Sequence, residues 1–339
     1  MSVFEESKSY RPFSYPWAVE AEQKHTIDMY WNTHQINLQD DIQQYFSKEG
    51  LKTATISHEQ NKNILDRTLC LFTEMDRTVG EGYTEVLPLI RNNEIRNMLM
   101  TFAAREVTHQ RAYALAAETF GFSNSDWQAF AEYKQMVDKL DAMSEDVVPD
   151  GASDKLKAAI KLTQILLGEG IGLFGAFATL LNMKRQGILN GFNDINEWSL
   201  KDESEHVLNN IKVVTEMEKD LSEIEKIALK DATTQFVERF EEAEFKYLEL
   251  VFDMGGSENL TLGQMKDYIR YLGKLRLFQR GYVSLKEVPK NPLEWMEWLL
   301  GANRHSNFFE KKVVDYVHKE LDGEINYNRY RHILAEKSA

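Results

Sequence analysis

Cysteine is almost missing from this chain: Cys70 stands alone among 339 residues. A single thiol excludes an internal disulfide and any zinc site built from several cysteines. It fits a reducing, cytoplasmic setting. Cys70 lies in the apolar run Leu69-Cys70-Leu71-Phe72, which assigns it to the core. Proline is scarce too. It occurs at 12, 16, 88, 149, 289 and 292, so no proline ring interrupts a helix between 150 and 288. Positive charge is in deficit, with a formal net charge of −14. That argues against a nucleic-acid partner, because phosphate contacts need clustered Lys and Arg. Long apolar runs are absent as well. The longest, Gly170 to Leu181, is about a dozen residues, short of a bilayer's thickness. The first residues, Met-Ser-Val-Phe-Glu-Glu, are too polar for a secretory signal. Strand-like alternation, low-complexity segments and short tandem repeats are not evident.

What is present is helical periodicity. Apolar residues recur near every 3.6 positions over roughly 58–79, 92–120, 124–142, 153–187, 194–217, 222–251, 262–278 and 292–320. Ser57, with Gln60 three residues on, has the pattern of a capping box. Pro12 and Pro16 disfavour a helix at the start. The expected organisation is an irregular N-terminal arm over 1–18, one all-α domain over 19–320, and a tail over 321–339.

Two Glu-x-x-His motifs carry the chemistry: Glu106-Val-Thr-His109 and Glu203-Ser-Glu-His206. Residues three apart on a helix share a face, so each motif aims one carboxylate and one imidazole the same way. One such motif is usually a solvated face. Two of them, 97 residues apart from 106 to 203, lie on long helices with apolar neighbours such as Phe102, Leu115 and Ala116. A bundle that adds one acid from each of two further helices makes a six-ligand dinuclear site. Glu169, inside Leu166-Leu167-Gly168-Glu169-Gly170-Ile171, is one candidate, because an acid in an apolar run is costly unless paired or metal-bound. Asp76 is the other, with Glu74 as a rival. Tyr113, four residues after His109, lies one turn further along the same face and could serve as a one-electron donor; taken alone, it is more often a core tyrosine.

Phe102-Ala-Ala-Arg105-Glu106-Val-Thr-His109-Gln-Arg-Ala-Tyr113 resembles the signature of class I ribonucleotide reductase small subunits, members of the ferritin-like superfamily. Lys201-Asp202-Glu203-Ser-Glu-His206 looks like that family's second motif. Asp76-Arg-Thr-Val-Gly80 with Leu87-Pro88-Leu89-Ile90 looks like its first-ligand helix, which favours Asp76 over Glu74. Arg11-Pro12-Phe13-Ser-Tyr15-Pro16-Trp17 and Leu38-Gln-Asp40-Asp41 add to the likeness, which extends over roughly 10–320.

The resemblance implies a ferritin-like helical bundle with a carboxylate-bridged metal pair. Its ligands would be Asp76, Glu106, His109, Glu169, Glu203 and His206. Tyr113 would hold a stable radical, Asp202 would hydrogen-bond a ligand imidazole, and Trp31 would relay the radical. Two irons are the expected pair, while two manganese ions or a mixed pair suit the same ligands. The implied partners are a second copy of the chain and a large catalytic subunit, where ribonucleotides are reduced. Tyr327 or Tyr330 would be the relay tyrosine in the tail. Phe177 and Leu173 fit the apolar pocket of the family's tyrosine, but Ser199 falls where a branched aliphatic is common. Rival readings are another carboxylate-bridged oxidase, such as an acyl-carrier-protein desaturase or a ligand-binding oxidase, and a non-enzymatic metal-storage bundle. Neither oxidase would require Tyr113 one turn past His109, and a purely structural bundle has no reason to bury Glu169.

Overall fold

The computed structural model describes residues 2–7, 13–297 and 299. The chain divides into two units, Met1–Leu293 and Glu294–Ala339, and the account below concerns the first. Its main helices are α1 (Pro16–Gln23), α2 (Gln39–Phe46), α3 (His58–Val86), α4 (Asn93–Thr119), α5 (Asn124–Ala131), α6 (Lys134–Ser144), α7 (Asp154–Leu167), α8 (Phe174–Lys184), α9 (Asn190–Glu218), α10 (Glu223–Val251) and α11 (Leu262–Gln279). Among the described residues there is no strand, only an isolated bridge between Ser257 and Leu260.

Side chains fix the starts of five of these helices. Ser57, Ser222 and Thr261 form capping boxes at α3, α10 and α11. Asn92 and Ser153 accept backbone N–H bonds at α4 and α7. Each cap satisfies a donor that the first helical turn leaves unpaired. Helix α3 packs along α4, α7 along α9, α4 against α9 and α3 against α7, which closes a four-helix bundle. Helices α6, α10 and α11 pack outside it, against α3, α7 and one another.

The structure departs from the expected elements at several places. Pro16 opens α1 inside the stretch expected to be irregular. A proline at the first helical position loses no hydrogen bond, because that N–H is unpaired anyway. The segment 124–142 is broken at Glu132 and Tyr133 into α5 and α6. Leu115 faces outward, at 37% exposure, while Phe102 and Ala116 are buried. The helix expected over 292–320 lies mostly, and the tail with Tyr327 and Tyr330 wholly, outside the described residues.

The segment expected as one helix over 153–187 contains a π-helical turn, Gly168–Leu173, between α7 and α8. Such turns mark an extra residue in a helix and favour functional sites. Gly170 in this turn and Gly175 just after it make room for side chains arriving from behind. A Cβ on Gly170 would stand 2.6 Å from Arg276 Nε, and one on Gly175 would stand 2.8 Å from Glu244 Oε2. Arg276 Nε and Nη2 donate to the Gly170 carbonyl at 3.2 and 3.1 Å. Glu244 is neutralised in the core by Lys139, 2.5 Å away. Taken together, Asp154–Lys184 is long and apolar enough to cross a membrane, but its apolar window is entirely buried in the bundle. It is a core helix.

The cap of α3 matters to the site because this helix carries Asp76. Ser57→Ala should lower stability to urea unfolding by about 1 kcal/mol, the usual worth of a capping side chain. An unchanged unfolding midpoint would show that the Ser57–Gln60 box contributes nothing.

Candidate metal centre

Each helix of the four-helix bundle, or the π turn that continues it, aims carboxylates or imidazoles at one point. Asp76 comes from α3, Glu106 and His109 from α4, Glu169 from the π turn, and Glu203 and His206 from α9. Their ligand atoms fall into two overlapping groups, Asp76–Glu106–His109–Glu203 and Glu106–Glu169–Glu203–His206, with the atoms of each group within 4.8 Å of one another. Glu106 and Glu203 belong to both. Glu106 reaches His109 Nδ1 with Oε2 at 3.3 Å and His206 Nδ1 with Oε1 at 3.2 Å. Glu203 does the same with Oε1 at 3.1 Å and Oε2 at 3.2 Å. Glu106 and Glu203 would thus be shared between two metal ions, with Asp76 and His109 on one side and Glu169 and His206 on the other. The rival Glu74 is instead half-buried and paired with Arg77.

None of the six is more than 1% exposed. Four acids packed this closely cannot all stay charged in a dry interior without cations. Burial, with the charges of Glu106, Glu203 and Glu169, pushes Asp76 well above the usual carboxylate range, against the pull of His109. Burial pushes Glu169 up to about 8, against the pull of His206. Glu203 goes the other way, to about 2, because the imidazoles outweigh its burial. Both imidazoles are in turn raised: burial opposes their charge, but the surrounding carboxylates overcome it.

The donor set fits a metal pair on the structure's own terms. Asp76 Oδ2, Glu106 Oε1, both oxygens of Glu203 and both ring nitrogens of His206 are buried and form no well-aligned hydrogen bond, although several lie close to one another. Two divalent cations would balance the four carboxylates and take up most of these lone pairs.

Asp202 sits just outside this set. Its Oδ2 accepts from His109 Nε2 at 3.1 Å, Trp31 Nε1 at 2.9 Å, and Arg105 Nε and Nη2 at 3.0 and 2.7 Å. Burial works against its charge, but His109 and Arg105 hold its carboxyl well below the usual range. The bond to Nε2 turns Nδ1 of His109 toward the acids. Trp31 also stacks on the His109 ring, 5.7 Å between centroids and 12° from parallel.

Tyr113 is fully buried. Its ring stacks on Phe72 at 4.5 Å, and its hydroxyl donates to Asn196 Oδ1 at 3.1 Å. Burial, with the charge of Asp76, pushes the phenol well above its usual range. Phe177 packs on Phe72, and Leu173 and Ser199 are fully buried.

Sequence reasoning missed Tyr83, Asn196, Asn210, Arg105 and His25. Tyr83 donates to Glu169 Oε1 at 2.7 Å, and Asn210 Nδ2 donates to Glu169 Oε2 at 3.2 Å. His25 stacks on His206 at 5.0 Å. A signal existed for some of these. Asn196, Ser199, Glu203, His206 and Asn210 run at alternating spacings of four and three along α9, a polar stripe that is wholly buried. Tyr83 follows Asp76 by seven residues, two turns along the same face of α3.

A family model described as "Ribonucleotide reductase, small chain" matches residues 7–292. The probable ribonucleoside-diphosphate reductase small subunit of Invertebrate iridescent virus 3 is 30% identical, covering 93% of this chain and 86% of that protein. The ribonucleoside-diphosphate reductase subunit beta of Chlamydia pneumoniae is 24% identical, covering 90% and 88%. Among solved structures, the ribonucleotide reductase R2 subunit from Clostridium botulinum superposes with a TM-score of 0.72 at 19% identity, covering 87% of this chain and 91% of that one. The Streptococcus sanguinis dimanganese(II)-NrdF gives 0.69 at 17% identity, covering 86% and 99%. At such identities the structural likeness establishes the shared fold.

Metal uptake has to expel protons from this site. In the metal-free chain Glu169 keeps its proton up to about pH 8, so affinity for a divalent cation should rise as pH climbs toward that value. The raised carboxyl also stabilises the metal-free fold below its ordinary value of 4.5, a contribution lost as pH rises through about 8. Calorimetric titration in buffers of different ionisation enthalpy measures both affinity and proton release. A pH-independent affinity with no proton release would contradict this picture.

Proposed function

The chain belongs to the ribonucleotide reductase small-chain family, and from that premise we propose that it generates and stores a tyrosyl radical on Tyr113 and passes it to a separate large subunit for reduction of ribonucleoside diphosphates. The observation that carries this reading is the convergence of Asp76, Glu106, His109, Glu169, Glu203 and His206 on one buried point, with Tyr113 among its neighbours. These six would hold two metal ions. Iron is our assignment, and manganese or a mixed pair suits the same ligands. When bound, the metal pair together with dioxygen supplies the oxidising power.

The chain's own residues do the rest. Tyr113 gives up one electron and its phenolic proton. Its hydroxyl is aimed at Asn196 Oδ1, an amide oxygen that orients the proton without taking it. Asp76, which would be deprotonated once the cations are in place and whose charge acts on the phenol more strongly than that of Glu203 or Glu106, is the acceptor we assign. Phe72, Phe177, Phe192 and Leu173 keep water from the ring. Trp31, Asp202 and His109 form a hydrogen-bonded and stacked chain leading away from the centre. It continues to the half-buried Trp198, whose ring centroid is 5.3 Å from that of Trp31. Trp31 is the relay on this reading, and Asp202 orients His109 and carries the coupled proton. Tyr327 or Tyr330 would continue the relay. We further propose a homodimer, like the ribonucleotide reductase Rnr4 homodimer from Saccharomyces cerevisiae, whose fold is similar with a TM-score of 0.69, and a cytoplasmic location.

The rival oxidase and storage readings lose ground to family membership and keep no observation of their own. Tyr113→Phe should bind the same two metal ions and lose the stable tyrosyl signal in electron paramagnetic resonance after aerobic reconstitution. A tyrosyl signal of wild-type intensity would sink the assignment. Trp31→Phe should keep the radical and lose turnover with the large subunit. Full turnover would remove Trp31 from the path.

A further inference from the structure

We infer that Tyr83 and Asn210 are positioning residues for Glu169, and that they set the metal affinity of one half of the centre without touching the other. The inference rests on the dinuclear reading above. It starts from an asymmetry among the four acids. Asp76 Oδ2, Glu106 Oε1 and both oxygens of Glu203 receive no hydrogen bond from outside the six-residue set. Both oxygens of Glu169 have one, and each donor lies outside the six-residue set. Tyr83 Oη donates to Oε1 at 2.7 Å. Asn210 Nδ2 donates to Oε2 at 3.2 Å and to Tyr83 Oη at 2.7 Å. The triangle uses each hydrogen once. The phenol gives its only proton to the carboxylate and accepts from the amide, whose two hydrogens go to two different oxygens.

All three side chains are fully buried and come from three different elements. Glu169 itself sits on the π turn, where the regular backbone ladder is interrupted. Its carboxylate is therefore oriented from outside its own helix, by α3 and α9. A carboxylate clamped at both oxygens has little rotational freedom to lose when a cation arrives, and it keeps one free lone-pair direction on each oxygen. Asp76, at the other end of the centre, has no such clamp on Oδ2. The phenol of Tyr83 thus acts on the Glu169–His206 half, and the Asp76–His109 half should not feel it.

The test is anaerobic titration of the full chain with Mn(II), reading free Mn(II) by electron paramagnetic resonance. Asp76→Ala leaves the Glu169–His206 half, and Glu169→Ala leaves the Asp76–His109 half. Adding Tyr83→Phe to the first should weaken Mn(II) binding about 10- to 100-fold, the usual cost of removing a partner behind a metal ligand. Adding it to the second should change binding by less than about twofold. If the alanine backgrounds fold poorly, Tyr83→Phe alone serves: one of the two binding steps should shift and the other stay. Melting of the metal-free protein checks that the fold is intact. An equal shift in both halves, or none in either, overturns the proposal. A wild-type chain that takes up one ion overturns the dinuclear reading, and the positioning role then survives only if Tyr83→Phe weakens that ion.

Discussion

Four carboxylates share one dry space, and that crowding governs the rest of the molecule. Leaving such charges uncompensated in the interior would cost far more than a domain's whole stability. Protons can relieve the repulsion, as the raised Asp76 and Glu169 carboxyls show. Cations would relieve it better, because two of them match the charge and take the imidazole lone pairs of His109 and His206 as ligands. The four central helices exist in their present register to bring these groups together. Their caps, the aromatic packing of Phe72 and Phe102, and the outer layer of α6, α10 and α11 serve that convergence.

Asp202 shows how such a site stays ordered. One carboxylate oxygen receives an indole, an imidazole and a guanidinium. Arg105 supplies the single positive charge that Asp202 needs, so the pair adds no net charge to the crowded acids. The bond to His109 also fixes which ring nitrogen faces them. A residue adjacent in sequence to a ligand, but on the next face of the helix, thereby links the centre to Trp31.

Much of this was legible because it depends on local spacing. Glu106 with His109, and Glu203 with His206, share faces on any helix, and Glu169 announced itself as an acid in an apolar run. The choice of Asp76 over Glu74 came from resemblance, and the structure gives its physical side: Glu74 points out to Arg77, while Asp76 points in. What stayed hidden depends on distant partners. Arg105 looks like a surface charge until Asp202 is known to face it. Tyr83 and Asn210 look like ordinary helix residues until α3 and α9 close over Glu169. The break at 168–173 read as continuous helix, because the guanidinium that receives its loose carbonyl comes from Arg276, far along the chain. The start of α1 was missed by treating Pro16 as a breaker when its position made it an opener.

The π turn also makes the length of its helix part of the chemistry. One surplus residue is held between α7 and α8, so the faces before and after it are out of phase by about 100°, one residue's rotation. Deleting a single residue there would give a more regular helix. Yet every side chain on one side of the cut would swing round, and Glu169 could no longer stay in step with both α3 and the wall behind it. The length of this segment is therefore as much a part of the site as the residues that line it.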